Sequence, residues 1–144
     1  MIKTLITGVT GLLGKSIISQ NKNELKITGG YYPDKKFETL TYLSSKCLLD
    51  IRDFDKIEEI ISNEKIELII HCASIANVDY VETHKEEAYQ NNFIGTKNIV
   101  DLSEKYRIKL IQISTNAVYD GNNPLYSEDC LRNPINYYGK LKVM

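Results

Sequence analysis

The chain has 144 residues and a formal net charge of −1 at pH 7, a balance that gives it no electrostatic pull toward nucleic acid or an anionic membrane surface. With 42% hydrophobic and 26% charged residues it has the composition of one globular domain large enough for a real core, and no apolar run is long enough to cross a bilayer. The three cysteines (Cys47, Cys72, Cys130) are widely spaced without a CxxC, and the two histidines (His71, His84) lack ligand spacing; reduced thiols in a cytoplasmic protein without a metal site are expected.

The first element is Ile2 to Ile6, an apolar run of strand length and too short for a signal peptide. It leads into Thr7-Gly8-Val9-Thr10-Gly11-Leu12-Leu13-Gly14, and then into a helix over about Leu12 to Gln20, marked by Leu12, Leu13, Ile17 and Ile18. Three glycines at spacing three thus lie on a strand-to-helix turn, where a dinucleotide-binding fold holds a pyrophosphate. Gly8 permits the tight turn, Gly11 lets backbone N–H groups approach the phosphates, and Gly14 lets the helix pack close to the strand. The spacing is GxxGxxG rather than GxGxxG.

Glu24 to Gly30 is the second predicted strand, Tyr31 to Ser45 a loop containing Pro33 and Asp34, and Cys47-Leu48-Leu49 a short third strand. Asp50-Ile51-Arg52-Asp53 follows; Asp53 fits an N-cap ahead of the stripe Phe54, Ile57, Ile60 and Ile61. Asp50 reads either as a ligand contact or as a turn residue before that cap. Glu67 to Cys72 is a continuous apolar fourth strand suited to burial on both faces. One long helical region is expected from Asp79 to Tyr106, bent near Gly95, and a fifth strand from Ile108 to Ile113. The alternation predicts a Rossmann-like, doubly wound parallel α/β sheet in the order 3-2-1-4-5. Ligands of such sheets bind at the carboxyl ends of the strands, where this chain puts Gly8 to Gly14, Asp50, His71-Cys72-Ala73-Ser74 and Ser114-Thr115.

Tyr138 and Lys142 stand four residues apart and would share a helix face. An ammonium near a phenol favours the phenolate, so such a pair can exchange a proton with a substrate oxygen, and a Thr115 hydroxyl could polarise the same oxygen. YxxxK alone also occurs on many solvated helices. Its weight comes from following a glycine-rich first turn and a hydroxyl-rich fifth strand end.

Taken in order, Thr7 to Gly14, Leu49-Asp50-Ile51, His71-Cys72-Ala73, Asn92-Phe93-Ile94-Gly95-Thr96, Ser114 to Gly121 and Tyr138-Gly139-Lys140-Leu141-Lys142 resemble the N-terminal part of an extended short-chain dehydrogenase/reductase. The nearest subgroup in pattern is the dTDP-4-dehydrorhamnose reductases of dTDP-rhamnose biosynthesis. The resemblance implies NAD(P)H-dependent reduction of a 4-keto nucleotide sugar, with Thr115, Tyr138 and Lys142 as catalytic residues. It implies cofactor contacts from Gly8, Thr10, Gly11, Leu12, Leu13, Gly14, Asp50, Ile51, Cys72, Ala73 and Ser74, and from Tyr138 and Lys142. Val78, Asp79, Glu82 and Asn92 match segments expected to be structural. An epimerase or dehydratase on the same scaffold, and a non-catalytic nucleotide-binding module, are the competing functions; the Asn116-Ala117 pair lacks the acids a dehydratase needs, and Asn116 also replaces the aspartate common in the reductases.

Family members continue well beyond the catalytic lysine. The expectation is that residues 1–144 form an incomplete NAD(P)-binding domain, without the last strands and the C-terminal substrate domain, leaving the fifth strand as an edge and turnover in doubt. No acid stands among Thr28, Gly29, Gly30 and Tyr31 to meet a ribose 2′-hydroxyl, whereas Lys35 and Lys36 lie nearby. That favours NADP(H) over NAD(H), unless the lysines are merely solvated. The expected partner is a small nucleotide sugar, with room for a homodimer and no place for nucleic acid or membrane.

Overall fold

The first strand, β1 (Ile2–Thr7), is buried from Thr4 onward because it has a neighbour on each side and a helical layer over each face. It pairs in parallel with β2 (Leu25–Tyr31), placing Leu5 beside Thr28, and with β4 (Leu68–His71), placing Leu5 beside Ile69. The outer strands β3 (Ser45–Leu48) and β5 (Lys109–Gln112) add in parallel to β2 and β4, giving the order β3-β2-β1-β4-β5. These coordinates are a computed structural model that describes residues 1–32, 43–123 and 125–144. Lys35 and Lys36, read above as a 2′-phosphate contact, lie outside the described residues.

Alternation along the strands divides the core between the two faces of the sheet. Leu5 and Ile69 face one way, onto Ile57, Ile60 and Ile61 of α2 (Phe54–Glu64) and Ile99 and Leu102 of α5 (Thr96–Lys105). Ile6, Ile27 and Ile70 face the other way, onto Ile18 of α1 (Leu12–Ser19). Each such aliphatic side chain contributes about 1.5–3 kcal/mol by leaving water. Asp53 caps α2, its Oδ1 accepting from Lys56 N–H at 3.0 Å, and Lys65 ends it in a left-handed turn at φ 54°.

Two expectations are corrected. Leu12 does not belong to the inner stripe of α1, being 91% exposed, and Leu13 is 43% exposed. The inner surface of that first turn is Gly14, and a Cβ there would lie 2.6 Å from the Gly8 carbonyl oxygen and 2.7 Å from Val9 Cα. With backbone packed on backbone, no space remains for a leucine. The long helical region is also interrupted rather than merely bent. The region is α3 (Val78–Thr83), α4 (Lys85–Ala88), a π-helical segment Tyr89–Gly95, and α5. His84 breaks it at φ −122°, ψ 54°, where Thr83 Oγ1 donates back to the Asp79 and Tyr80 carbonyls. The π turn serves two inward residues. Asn92 accepts from Ile75 N–H at 2.8 Å and donates to the Ile75 carbonyl at 2.9 Å, while a Cβ on Gly95 would lie 2.6 Å from Ile51 Cγ1. Among the described residues no helix is long and apolar enough to cross a membrane.

His71 ends β4 almost fully buried, at 1% exposure. Thr7 Oγ1 accepts from Ala73 N–H at 3.1 Å and lies 2.7 Å from His71 Nδ1, within hydrogen-bond distance. The other ring nitrogen, Nε2, is hydrogen-bonded to Thr96 Oγ1 at 3.1 Å. Burial, and secondarily the charge of Lys142, push the imidazole pKa down to about 4. The unfolded chain binds this proton below about pH 6.5, whereas the folded chain refuses it. His71 therefore contributes stability in full above about pH 6.5, and the contribution is lost as pH falls toward about 4. The expected loss across that window is roughly 3 kcal/mol. Urea midpoints read at intervals of pH should show this slope, and His71→Gln should flatten it. The His71 C2–H proton resonance should hold its neutral position down to about pH 5.

Candidate functional site

Parallel strands deliver their carboxyl ends to one edge of the sheet, and a cavity of about 400 Å³ opens there. Gly8, Thr10 and Gly11 form one wall, at the turn from β1 into α1. Gly8 has φ +70°, and a Cβ on it would fall 2.8 Å from both the Cα and the N of Ala73, so the turn lies directly on the backbone leaving β4. Gly11 differs. Its φ is −77°, its N–H donates to the Gly8 carbonyl at 3.0 Å, and a Cβ would meet only that oxygen, at 3.3 Å.

Cys72, Ala73 and Ser74 form the floor, and Ile51 the wall beyond β3. Burial pushes the Cys72 thiol pKa up. Of the other anticipated contacts, Leu12, Leu13, Gly14 and Asp50 are not among the lining residues. The Asp50 carboxylate is engaged by Arg52, whose Nη2 donates at 2.6 Å and Nε at 2.9 Å; this pairing holds Asp50 below the usual carboxylate range.

Several lining residues went unnoticed in the sequence. Arg52 lies at the rim, its Nη2 donating to Tyr32 Oη at 3.2 Å, and it is the one cation among the described lining residues. On the opposite wall are Ile75, Glu87 and Asn91, with Glu87 accepting from Tyr80 Oη at 2.7 Å. The Asp-Ile-Arg run offered a signal for Arg52, because a residue beside Ile51 shares its strand end. Nothing offered one for Glu87 and Asn91, whose direction depends on the break at His84 and the π turn.

Thr115, Tyr138 and Lys142 sit at the same edge beyond β5, beside the cavity rather than in its lining. Thr115 caps a 3₁₀ turn (Asn116–Val118), its Oγ1 accepting from Ala117 N–H at 3.2 Å and lying 3.5 Å from Asn116 Oδ1. Tyr138 and Lys142 belong to α6 (Tyr137–Val143). A Cβ on Gly139 would lie 2.1 Å from the Ala117 carbonyl oxygen, so α6 rests on the turn that Thr115 begins. Asn136 accepts from Gly139 N–H at 2.7 Å and Glu82 from Tyr137 N–H at 2.9 Å, which fixes the start of α6. Lys142 Nζ donates to the Ile113 carbonyl at 3.2 Å and stands 5.9 Å from the Tyr138 ring centroid; burial lowers its pKa. Its charge acts on His71 and Cys72, which ties this group to the cavity floor. Among the described residues no three His, Cys, Asp or Glu side chains gather as a metal site would require.

The family model described as RmlD substrate binding domain matches residues 2–144. Methionine adenosyltransferase 2 subunit beta of Bos taurus is 34% identical over 144 residues, covering 98% of this chain and 40% of the relative. The Danio rerio protein of the same name is 36% identical over 143 residues, covering 98% and 41%. Among solved structures, a hypothetical dTDP-4-dehydrorhamnose reductase from Sulfolobus tokodaii superposes with a TM-score of 0.86 at 31% identity, over 99% of this chain and 50% of that one. The dTDP-4-dehydrorhamnose reductase of Bacillus anthracis, in complex with NADP, gives 0.83 at 32% identity, over 99% and 47%. A UDP-Glc/GlcNAc 4-epimerase from Campylobacter jejuni gives 0.92 at 26% identity, over 100% and 46%. The chain spans about 40% of the length of these curated relatives and half or slightly less of these solved chains.

The glycines can be separated by substitution. Gly14→Ala should destabilise the fold by about 1–3 kcal/mol, because its Cβ meets only backbone. Gly11→Ala, whose Cβ would press only on the Gly8 carbonyl oxygen at 3.3 Å, should lower the melting temperature less than Gly14→Ala yet weaken ADP binding about tenfold, since its Cβ crowds the space a diphosphate would need. Thermal melts with ADP titrations check both.

Proposed function

The chain belongs to the RmlD substrate binding domain family and corresponds to the N-terminal part of an extended short-chain dehydrogenase/reductase, and on that premise we propose that it binds a nicotinamide dinucleotide for the reduction of a 4-keto nucleotide sugar. The observation that carries the reading is the Gly8 turn lying on Ala73 with the Gly11 backbone facing an open cavity. Backbone contacts under 3 Å account for Gly8 and Gly14, whereas a Cβ on Gly11 would press on the Gly8 carbonyl oxygen alone, at 3.3 Å. A diphosphate lying against the amino end of α1 would use the space such a side chain would take.

The dinucleotide would lie with its adenosine end toward Ile51 and Arg52, its diphosphate on the Gly8–Gly11 turn, and its nicotinamide end toward Tyr138. Arg52 suits a ribose 2′-phosphate, which supports NADP(H) over NAD(H). When bound, the dinucleotide supplies a hydride to the carbonyl carbon of the substrate. Tyr138 gives its phenolic proton to the carbonyl oxygen. Thr115 donates to the same oxygen: one of its lone pairs is already taken by Ala117 N–H, and its hydrogen faces Asn116 only at 3.5 Å. Lys142, anchored on the Ile113 carbonyl, keeps a positive charge beside the phenol ring. Asn116 and Ala117 leave this hydroxyl without a neighbouring acid, which disfavours dehydration.

A second reading rests on a different observation. The Danio rerio relative, at 36% identity, is named as a subunit of methionine adenosyltransferase 2. A nucleotide-binding subunit that does not turn over a sugar would use the same cavity.

Fluorescence titration should show NADPH binding, and Tyr138→Phe should leave its Kd within about threefold. In a longer chain that carries a substrate domain, the same substitution should lower turnover of a dTDP-4-keto-6-deoxyhexose by about 100-fold or more. Cofactor binding with no turnover by the unsubstituted longer chain, and no effect of Tyr138→Phe, would favour the subunit reading. Arg52→Gln should weaken NADPH about tenfold while leaving NADH within about twofold, a difference that competition titrations resolve.

A further inference from the structure

We infer that Glu82 and Lys85 are positioning residues for the proton transfer assigned to Tyr138, acting through a grip on the adjacent Tyr137. The inference rests on the reductase reading above and adds two residues to it, neither of which lines the cavity. Glu82 belongs to α3 and Lys85 opens α4, on either side of the break at His84. Glu82 Oε2 accepts from Tyr137 N–H at 2.9 Å, and its Oε1 lies 3.3 Å from Lys85 Nζ. Lys85 Nζ in turn stands over the Tyr137 ring, 5.5 Å from its centroid.

An exposed ion pair between near neighbours contributes little by itself. Here both partners also engage one residue far along the chain, the carboxylate its backbone and the ammonium its ring. The Tyr137 N–H, and after it Lys85 and Lys140, hold Glu82 below the usual carboxylate range, so the accepting group stays charged.

What this grip holds is separate from what forms the cavity. Tyr137 and Tyr138 pack on Val81, Ala88 and Leu141, a cluster apart from the two that cover the faces of the sheet. The ties of α6 to the β5 side fall later in the helix, at Gly139 on the Ala117 carbonyl and Lys142 on the Ile113 carbonyl. The Asn136 cap lies within the same segment and moves with it. Glu82 and Lys85 therefore hold the first turn of α6 from outside, one residue from the phenol. Releasing them frees that turn while the glycine turns and the sheet core stay in place. A shift of about 1 Å in a reacting group can cost about 100-fold in rate.

Hydrogen exchange on residues 1–144 reads the grip directly. The Tyr137 amide should exchange about tenfold faster in Glu82→Ala and within about twofold of the parent rate in Glu82→Gln, whose amide oxygen still accepts. In a longer chain that carries a substrate domain, Glu82→Ala should lower kcat for a dTDP-4-keto-6-deoxyhexose about 10–30-fold. KM and the NADPH Kd should stay within about twofold, and the solvent deuterium isotope effect on kcat should rise as proton transfer slows. Glu82→Gln should recover kcat to within about threefold of the parent, and Lys85→Met should fall between the two. Unchanged Tyr137 exchange in Glu82→Ala, no rescue by glutamine, KM or Kd shifting as much as kcat, or an unmoved isotope effect would each overturn the inference. Failure of the unsubstituted longer chain to turn over the ketosugar, with the exchange results as expected, would instead sink the reductase reading on which it stands.

Discussion

The closeness of two backbones at the carboxyl edge of the sheet governs the rest of this structure. The chain leaving β1 lies against the chain leaving β4 so tightly that a Cβ on Gly8 would come within 2.8 Å of Ala73. Gly14 brings the first turn of α1 equally close to Gly8 and Val9. Three backbone segments thus stack without intervening side chains, and the space they leave becomes the cavity wall. Thr7 locks the stack from below by accepting from Ala73 N–H and sharing a hydrogen bond with His71, whose other ring nitrogen is bonded to Thr96 of α5. Burial lowers the pKa of that imidazole and so favours its neutral form.

The same device recurs at the far side of the edge. α6 is a helix of seven residues, far too short to be stable by itself. Its geometry is imposed by neighbours: the Ala117 carbonyl under Gly139, Asn136 and Glu82 at its first N–H groups, the buried Leu141, and the Lys142 bond to the Ile113 carbonyl. The segment leading into α6 is organised around Asp120, which accepts from Tyr126 Oη, Asn122 N–H and Asn133 Nδ2, the largest influence being Tyr126; its pKa is lowered to about 2. Asn133 N–H then donates to the Val118 carbonyl at 2.9 Å, returning the chain to the turn that Thr115 begins. Thr115, Tyr138 and Lys142 are therefore presented by a braced loop system, whereas the cavity is presented by the sheet.

This difference explains what the sequence could and could not disclose. The strand order was legible because β1 and β4 are continuous apolar runs and the intervening stripes have helical period; the core residues follow from the same periodicity. The tight roles of Gly8 and Gly14 were legible because glycine spacing on a strand-to-helix turn has few physical solutions. Leu12 misled for the converse reason: periodicity counts it as inward, but the inward surface of that turn is bare backbone at Gly14. The break at His84 and the π turn were hidden because they arise from contacts remote in sequence, Asn92 with Ile75 and Gly95 with Ile51. Asp50 shows the same limit. Its place at a strand end could be read, but its capture by Arg52 two residues on depends on how the turn folds.

The two structural regimes also bear on how binding and chemistry can separate within one family. A cavity assembled from sheet ends and glycine turns is fixed by the hydrophobic core: to lose it, the chain must lose Leu5, Ile6, Ile69 and Ile70 from their layers. The Tyr138–Lys142 pair depends on short-range braces that engage individual backbone groups, and each can be altered without disturbing the core. The cavity is therefore the feature that sequence drift would erase last, and the placement of Tyr138 and Lys142 the one it would erase first. That asymmetry is a physical reason why one scaffold can include proteins named as reductases and proteins named as subunits of another enzyme. In this chain both sets of braces are intact among the described residues, from Thr7–Ala73 at the cavity floor to Lys142–Ile113 at the far edge.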